Sequence, residues 1–404
     1  MRRTIIIPFL FITILAACHK KQVPEPQPEP TPVAEVVLTD TSMVPVAAGL
    51  EKELIRMGID HSGKQDEKIL YGDIKDVDSL NLRGSYLVSK MNGIEYFTNL
   101  KSLQMEGTQT DSLDLSKNLK LEYLFCQTGI GVAGIPPTLN YLNVNNCRQL
   151  KYLNCYNNLL TSIDISQNVA LKELNLGLNP GLKHINLSSN TDLEIVDFSG
   201  CRKLQSLDLS KNTRIYKLTC TAAYELSRLD VSTLTELSVL SVESCPRISE
   251  LDLTKNKKLT SLNISGTSIS SIDLSINPAI QLLNCGSTKI TSLDTRPLKE
   301  LKSLQIYDSQ IAKLDLSENK QLESLDISTT LLTEINLDNN SNLKSFSCLQ
   351  QKYMSSLNLC NASKLEYCLT FQSPGLKTIY TNKIPDSADN KWQTNAWTKY
   401  MACK

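Results

Sequence analysis

Residues 251–264 read Leu251-Asp252-Leu253-Thr254-Lys255-Asn256-Lys257-Lys258-Leu259-Thr260-Ser261-Leu262-Asn263-Ile264. Apolar residues alternate with polar ones, stop at an asparagine corner, then alternate again. Such period-2 runs predict short strands with one buried face. The spelling returns along the chain. Its leading residues are Leu100, Leu121, Leu150, Leu171, Leu193, Ile215, Leu237, Leu259, Ile280, Leu301, Leu322, Leu343 and Leu365. Successive intervals are 21 or 22 residues, except 29 between Leu121 and Leu150. Self-similarity at that period identifies an array of stacked units, none able to bury its apolar face alone.

Each unit opens L-x-x-L-x-[LCIV], as in Leu301, Leu304 and Ile306. A small or polar residue follows: Asn158, Asn179, Thr267, Thr288, Ser309 or Thr330. A second apolar pair comes next, as in Leu207-Asp208-Leu209-Ser210 and Leu314-Asp315-Leu316-Ser317. An asparagine stands three residues before the next unit: Asn118, Asn168, Asn190, Asn212, Asn256, Asn277, Asn319 and Asn340. A buried amide at a tight corner can satisfy backbone groups of neighbouring coils. Leu234, Leu298 and Ala362 replace it, so those corners need other partners.

This pattern resembles the leucine-rich repeat, closest to the bacterial internalin-like kind. The resemblance implies a β-rich α/β solenoid: a right-handed leucine-rich-repeat superhelix with short parallel strands on its concave and opposite faces, few helices, and caps at both ends. The solenoid is expected over 100–375, an N-terminal cap over 49–99 and a C-terminal cap over 376–404. Leu50, Leu54, Ile55 and Met57 predict a short amphipathic helix stopped near Gly58. Asp60-His61-Ser62-Gly63 reads as a turn; a calcium loop would want a carboxylate at Ser62. Trp392, Trp397 and Tyr400 share one face of a helix, either a cover for the last coil or an aromatic binding patch.

At the other end, Arg2 and Arg3 precede an apolar run from Thr4 to Leu15, too short to span a bilayer. It reads as a signal peptide over 1–17. Leu15-Ala16-Ala17-Cys18 resembles a bacterial lipobox, which implies cleavage before Cys18, its acylation, and a lipid anchor in the membrane. Residues 18–48 follow as a tether, with Pro24, Pro26, Pro28, Pro30 and Pro32 favouring extended polyproline II. In Bacteroidetes-type lipoproteins, which this end resembles, acidic residues soon after the cysteine accompany surface export. Here His19, Lys20 and Lys21 follow it, so outer-membrane placement facing outward and facing the periplasm both stay open.

Composition narrows the chemistry. The 404 residues carry 42 basic and 42 acidic side chains, which excludes the basic footprint of a nucleic-acid binder. Three histidines and no C-x-x-C leave no metal or cofactor motif, and no nucleophile–base pair or phosphate loop is spelled. No catalytic residue is assigned. Cys126, Cys155, Cys220, Cys285 and Cys348 take an inward slot, and Cys201 and Cys245 the corner slot, where cysteine acts as a small hydrophobe. Cys360 and Cys403 are less determined, with a disulfide near the cap open. The Asp row (Asp208, Asp230, Asp252, Asp273, Asp294, Asp315) reads as bonded to the serine row and local backbone, the alternative being a ladder of cations.

In the resembled family the first strand faces outward on the concave side. There Tyr123, Phe125, Tyr152 and Tyr156 gather in two coils of a chain with 6% aromatics, and Asn154, Asn175 and Asp197 continue the strip. Aromatic faces beside amides suit a protein or a glycan partner. The alternative is packing beneath the insertion Gln127–Thr138. The expected protein is a monomeric, membrane-anchored binding or adhesion protein, with an envelope scaffold lacking an external ligand as the second reading.

Overall fold

The structure, a computed structural model, describes residues 37–128, 136–382 and 391–403. The leader, Cys18, the prolines Pro24–Pro32, Gly129, Gly131, Gly134 and Pro385 lie outside the described residues.

Strands of three residues, from Ser79–Asn81 through Tyr367–Leu369, join the two-residue strand Trp392–Gln393 in a 15-stranded parallel sheet. Registers run without slip, Leu240 beside Leu262, Leu283, Leu304 and Leu325. The central residue of each strand points inward, so equivalent leucines stack on one another. Leu259, Leu301 and Leu322 behind them are wholly buried. Each fully buried leucine contributes about 1.5–3 kcal/mol relative to exposure, and it reaches that burial only against the neighbouring coils.

The opposite face is not laddered throughout. Ser112–Asp114 pairs with Tyr141–Asn143 near one end, and Ser356–Asn358, Thr378–Tyr380 and Lys399–Met401 form a three-stranded sheet at the other. Between them, over 163–337, the Leu-Asp-Leu-Ser segments form no strand pairs among the described residues. Coils held at ~4.8 Å on one side and unladdered on the other curve toward the ladder. The long sheet is therefore the concave side. Grooves of about 800 Å³ and 540 Å³ open between coils on the unladdered side.

Two polar devices close each coil. Seven residues after each leading residue, φ turns positive: Asn157, Leu178, Gly200, Ala222, Ser244, Gly266, Ser287, Asp308, Thr329, Gln350 and Gln372. This left-handed corner costs an L-residue about 1–2 kcal/mol, and a glycine such as Gly266 avoids that. The next residue bonds inward, Thr267 Oγ1 donating to the Ile264 carbonyl at 2.7 Å and Asn179 Nδ2 to Leu176 at 2.8 Å. At the other corner the asparagine Nδ2 donates to two carbonyls of the preceding coil. Asn212 reaches Leu187 at 3.0 Å and Asn190 at 2.8 Å; Asn340 reaches Leu316 and Asn319. Where Leu234 breaks the row, the adjacent Thr233 hydroxyl donates to Leu209 instead.

The N-terminal cap holds helix α1 (Ala48–Arg56), which buries Leu50 and Leu54 and ends before Gly58 at φ 70°. Met43–Pro45 pairs antiparallel with Lys68–Leu70, and Val44 and Val46 are buried. The last residues of the stretch read as tether thus belong to the cap, because they carry its core. The expected C-terminal helix is absent among the described residues. Trp392 pairs beside Cys368 and Tyr400 beside Ile379, so this segment continues both strand positions of the repeat. Asn395 supplies the amide that bonds Thr370 and Ser373, and a Cys360–Cys403 disulfide fastens the end.

Asn212→Ala removes two donors to buried carbonyls. Its own Oδ1 is buried without a protein partner, which discounts the gain. The expected loss is about 2 kcal/mol in urea unfolding, and a loss below about 0.5 kcal/mol would show that the corner amide is dispensable.

Candidate ligand-binding face

The concave face presents the first and third residue of each strand. Tyr123 is 41% exposed. Phe125 and Tyr152 occupy diagonal positions on adjacent strands, and their rings stack with centroids 4.6 Å apart at 31°. Each fixes the other, so both rings are presented at little conformational entropy cost. Tyr156 lies along the next coil: a Cβ on Gly177 would come within 2.9 Å of its ring. The same device recurs at Gly286 beneath Tyr307, at 2.6 Å.

Asn154, Asn175 and Asp197 prove to share a local task. Each Oδ1 accepts the backbone N–H two residues on, from Tyr156, Gly177 and Ser199, at 2.8–3.0 Å. Asn263, Asn284 and Asp326 repeat the bond further along. These Asx turns direct the chain into the left-handed corner. Asn154 is also buried, and its Nδ2 donates to Gln127 Oε1 at 2.8 Å. The strip's polar members therefore hold the coil in shape first, while its aromatic members remain for contact.

A recess of about 120 Å³ lies beside Tyr152, lined also by Glu173, Asn175, Ile195, Asp197, Lys217 and Thr219. Glu173 stands next to Tyr152 in register. Burial pushes the Tyr152 phenol above its ordinary value; a hydrogen bond with Asn154 pulls it back, and the charges of Glu173 and Glu106 push it further up. Glu106, Glu173 and Lys217 were not singled out from the sequence, although their outward offsets would have found them. The insertion is tied down at its described ends, Thr128 N–H donating to Tyr156 at 3.2 Å and Thr138 Oγ1 to Thr110 at 2.9 Å.

The Asp row on the opposite side is satisfied locally. Asp208, Asp230, Asp252, Asp273 and Asp315 each accept the N–H of the Ser or Thr two residues on, at 2.8–3.0 Å. Those bonds hold their carboxyls below the ordinary value. Asp294 falls to about 2 through the Arg296 side chain and then its N–H. His61 and Asp60 form the expected turn: Ser62 N–H donates to Asp60 Oδ1 at 2.9 Å, and His61 Nδ1 lies 2.8 Å from Asp73 Oδ1. The inward cysteines stack within the core. Burial pushes Cys201, Cys285 and Cys368 up to about 12, so these thiols are not nucleophiles at neutral pH. Cys126 and Cys155 sit on adjacent coils with sulfurs 2.8 Å apart.

Carboxyls lowered in the folded state lend stability that is complete above their ordinary value and lost as pH falls through the folded one. Acid destabilisation is therefore expected as pH falls from about 4 toward 2. Asp208→Asn/Asp252→Asn keeps an oxygen for each turn without titrating, so its stability should vary less across that window. An unchanged slope in acid unfolding would remove the row from the linkage. Millimolar calcium should leave the melting temperature unmoved.

No family model matches the sequence, and no curated protein matches it. Solved structures do. The functional domain of InlJ from Listeria monocytogenes, a structure that includes a cysteine ladder, aligns at TM-score 0.69 with 24% identity, covering 89% of this chain and 82% of that one. An internalin, InlF, from the same species aligns at 0.59 with 22% identity, over 88% and 98%. A leucine-rich-repeat protein of Leptospira interrogans aligns at 0.51 with 16% identity, over 76% and 78%. At these identities the likeness is one of fold, and it agrees with the registers above: the chain is a parallel-strand solenoid with the leucine-rich-repeat architecture of its internalin-type neighbours.

Proposed function

We propose that the chain is a binding protein of the cell envelope that holds a protein partner on the N-terminal third of its concave face. The observation that carries this is the stacked Phe125–Tyr152 pair beside exposed Tyr123, standing on a sheet whose backbone bonds and polar turns are already satisfied. A rigid aromatic patch on a pre-formed surface is the usual composition of an interface hot spot. The leucine-rich-repeat fold suits a protein-interaction role, since stacking coils leaves a long continuous face free for contact. The envelope reading rests on the arginines, apolar run and lipobox that end at Cys18, with acylation there as anchor and the proline tether as spacer. The Cys360–Cys403 bond supports an oxidising compartment. Adhesion to an external ligand follows if the solenoid faces outward; facing the periplasm, the same face serves an envelope scaffold. Glycans remain an outcome of the test.

The test is affinity capture of envelope and host proteins on the full chain, with a glycan array in parallel. Phe125→Ala/Tyr152→Ala is expected to weaken the captured interaction about 30-fold, for the loss of about 2 kcal/mol typical of a hot spot. Full retention by that variant would move the site elsewhere. Capture by the array alone would replace the protein partner with a sugar.

A further inference from the structure

The charges of the concave face are unevenly settled. Along the sheet's edge, glutamates are paired with lysines of the next coil: Glu122 with Lys151 at 2.6 Å, Glu194 with Lys172 at 3.3 Å and Glu323 with Lys344 at 2.7 Å. On the face itself, Glu243 accepts a bond from Asn263 Nδ2 at 2.9 Å. Glu106 and Glu173 are treated differently. Glu106 Oε2 is buried with no hydrogen-bond partner, and the Glu173 carboxylate makes no ion pair among the described residues. Both carboxylates are half-buried, where an unpaired charge is poorly screened and costly to keep.

These two acids flank one aromatic pair. Glu173 is the in-register neighbour of Tyr152, and Glu106 lies in the coil preceding Phe125. The Tyr152 ring is fixed by Phe125 on one side and borders the recess on the other. Elsewhere this chain covers exposed tyrosines with its own cations: Arg202 lies 5.7 Å from the Tyr224 ring centre, and Lys352 lies 5.2 Å from that of Tyr353. No such internal pair is formed at Tyr152 among the described residues. Lys217 stands two strands beyond Glu173, on the far side of the recess, so the anionic zone is confined to its N-terminal side.

Building on the concave-face reading above, we propose that this zone takes the guanidinium or ammonium group of a basic residue in an extended segment of the partner, seated on the Tyr152 ring between Glu106 and Glu173. The cation supplies what the site lacks. It neutralises two half-buried carboxylates and meets the negative face of a ring that is already held in place. Backbone groups of the sheet are committed to the ladder, so side-chain chemistry sets the selectivity. Segments rich in acidic residues are repelled by the same pair.

The full chain is titrated calorimetrically with acetyl-tetraarginine amide, acetyl-tetralysine amide and acetyl-tetraglutamate at low salt. Saturable binding of a basic peptide is expected, with none for tetraglutamate. Glu106→Gln/Glu173→Gln should weaken it about tenfold, Phe125→Ala/Tyr152→Ala by a similar factor, and Glu243→Gln, on the same face outside the zone, not at all. The cation site is overturned by equal binding to parent and Glu106→Gln/Glu173→Gln, by equal weakening in Glu243→Gln, or by no saturable binding of either basic peptide. If the partner captured on the full chain is lost with Phe125→Ala/Tyr152→Ala but kept with Glu106→Gln/Glu173→Gln, the aromatic face stands and the cation proposal alone fails.

Discussion

No coil of this chain can bury its own leucines. A three-residue strand, two corners and a return segment enclose too little volume, so each leucine completes its contacts only against the coils on either side. Everything else follows from that dependence. The register must be kept because a slip would turn the leucine face outward. The chain must be capped because the terminal coils have no outer neighbour. Helix α1 with Val44 and Val46 does this at one end; the degenerate coil around Trp392, fastened by Cys360–Cys403, does it at the other.

Stacking creates a second constraint, since each coil carries its corners' backbone groups inward with it. Two rows of polar residues answer it. Asparagine amides such as Asn212 and Asn256 bridge to the preceding coil, and the residues after the left-handed corner, such as Asn179 and Thr267, bond back within or across coils. Aspartate and asparagine side chains on both faces close the turns locally. This division explains why an apparently functional row of acids opposite the sheet is structural: its oxygens are taken up by neighbouring N–H groups. It also leaves the concave face with a fixed backbone, so binding there depends on what a few side chains offer, chiefly Phe125, Tyr152 and the two unpaired glutamates.

What the sequence determined is the architecture. Period and slot identity are local and repeated, so leading residues, inward cysteines, corner asparagines and the outward aromatics could each be placed by counting. The N-terminal helix was legible for the same reason, through Leu50, Leu54 and the stop at Gly58. The tertiary structure decided whatever depends on contacts between coils. The C-terminal segment carries aromatics at a spacing that fits a helix, yet pairing with Cys368 and Ile379 made it two strands, because an open sheet edge offers ladder bonds that an isolated short helix lacks. The left-handed corners at Leu178 and Thr329 are unreadable from residue type, since stacking imposes a conformation those side chains disfavour. The site followed the same division. Counting placed Tyr152 and Asn154 side by side on the face, but only the fold showed that Asn154 is spent on the backbone and Gln127 while Glu106 and Glu173 are left unpaired, because hydrogen-bond partners come from whichever coil lies next door.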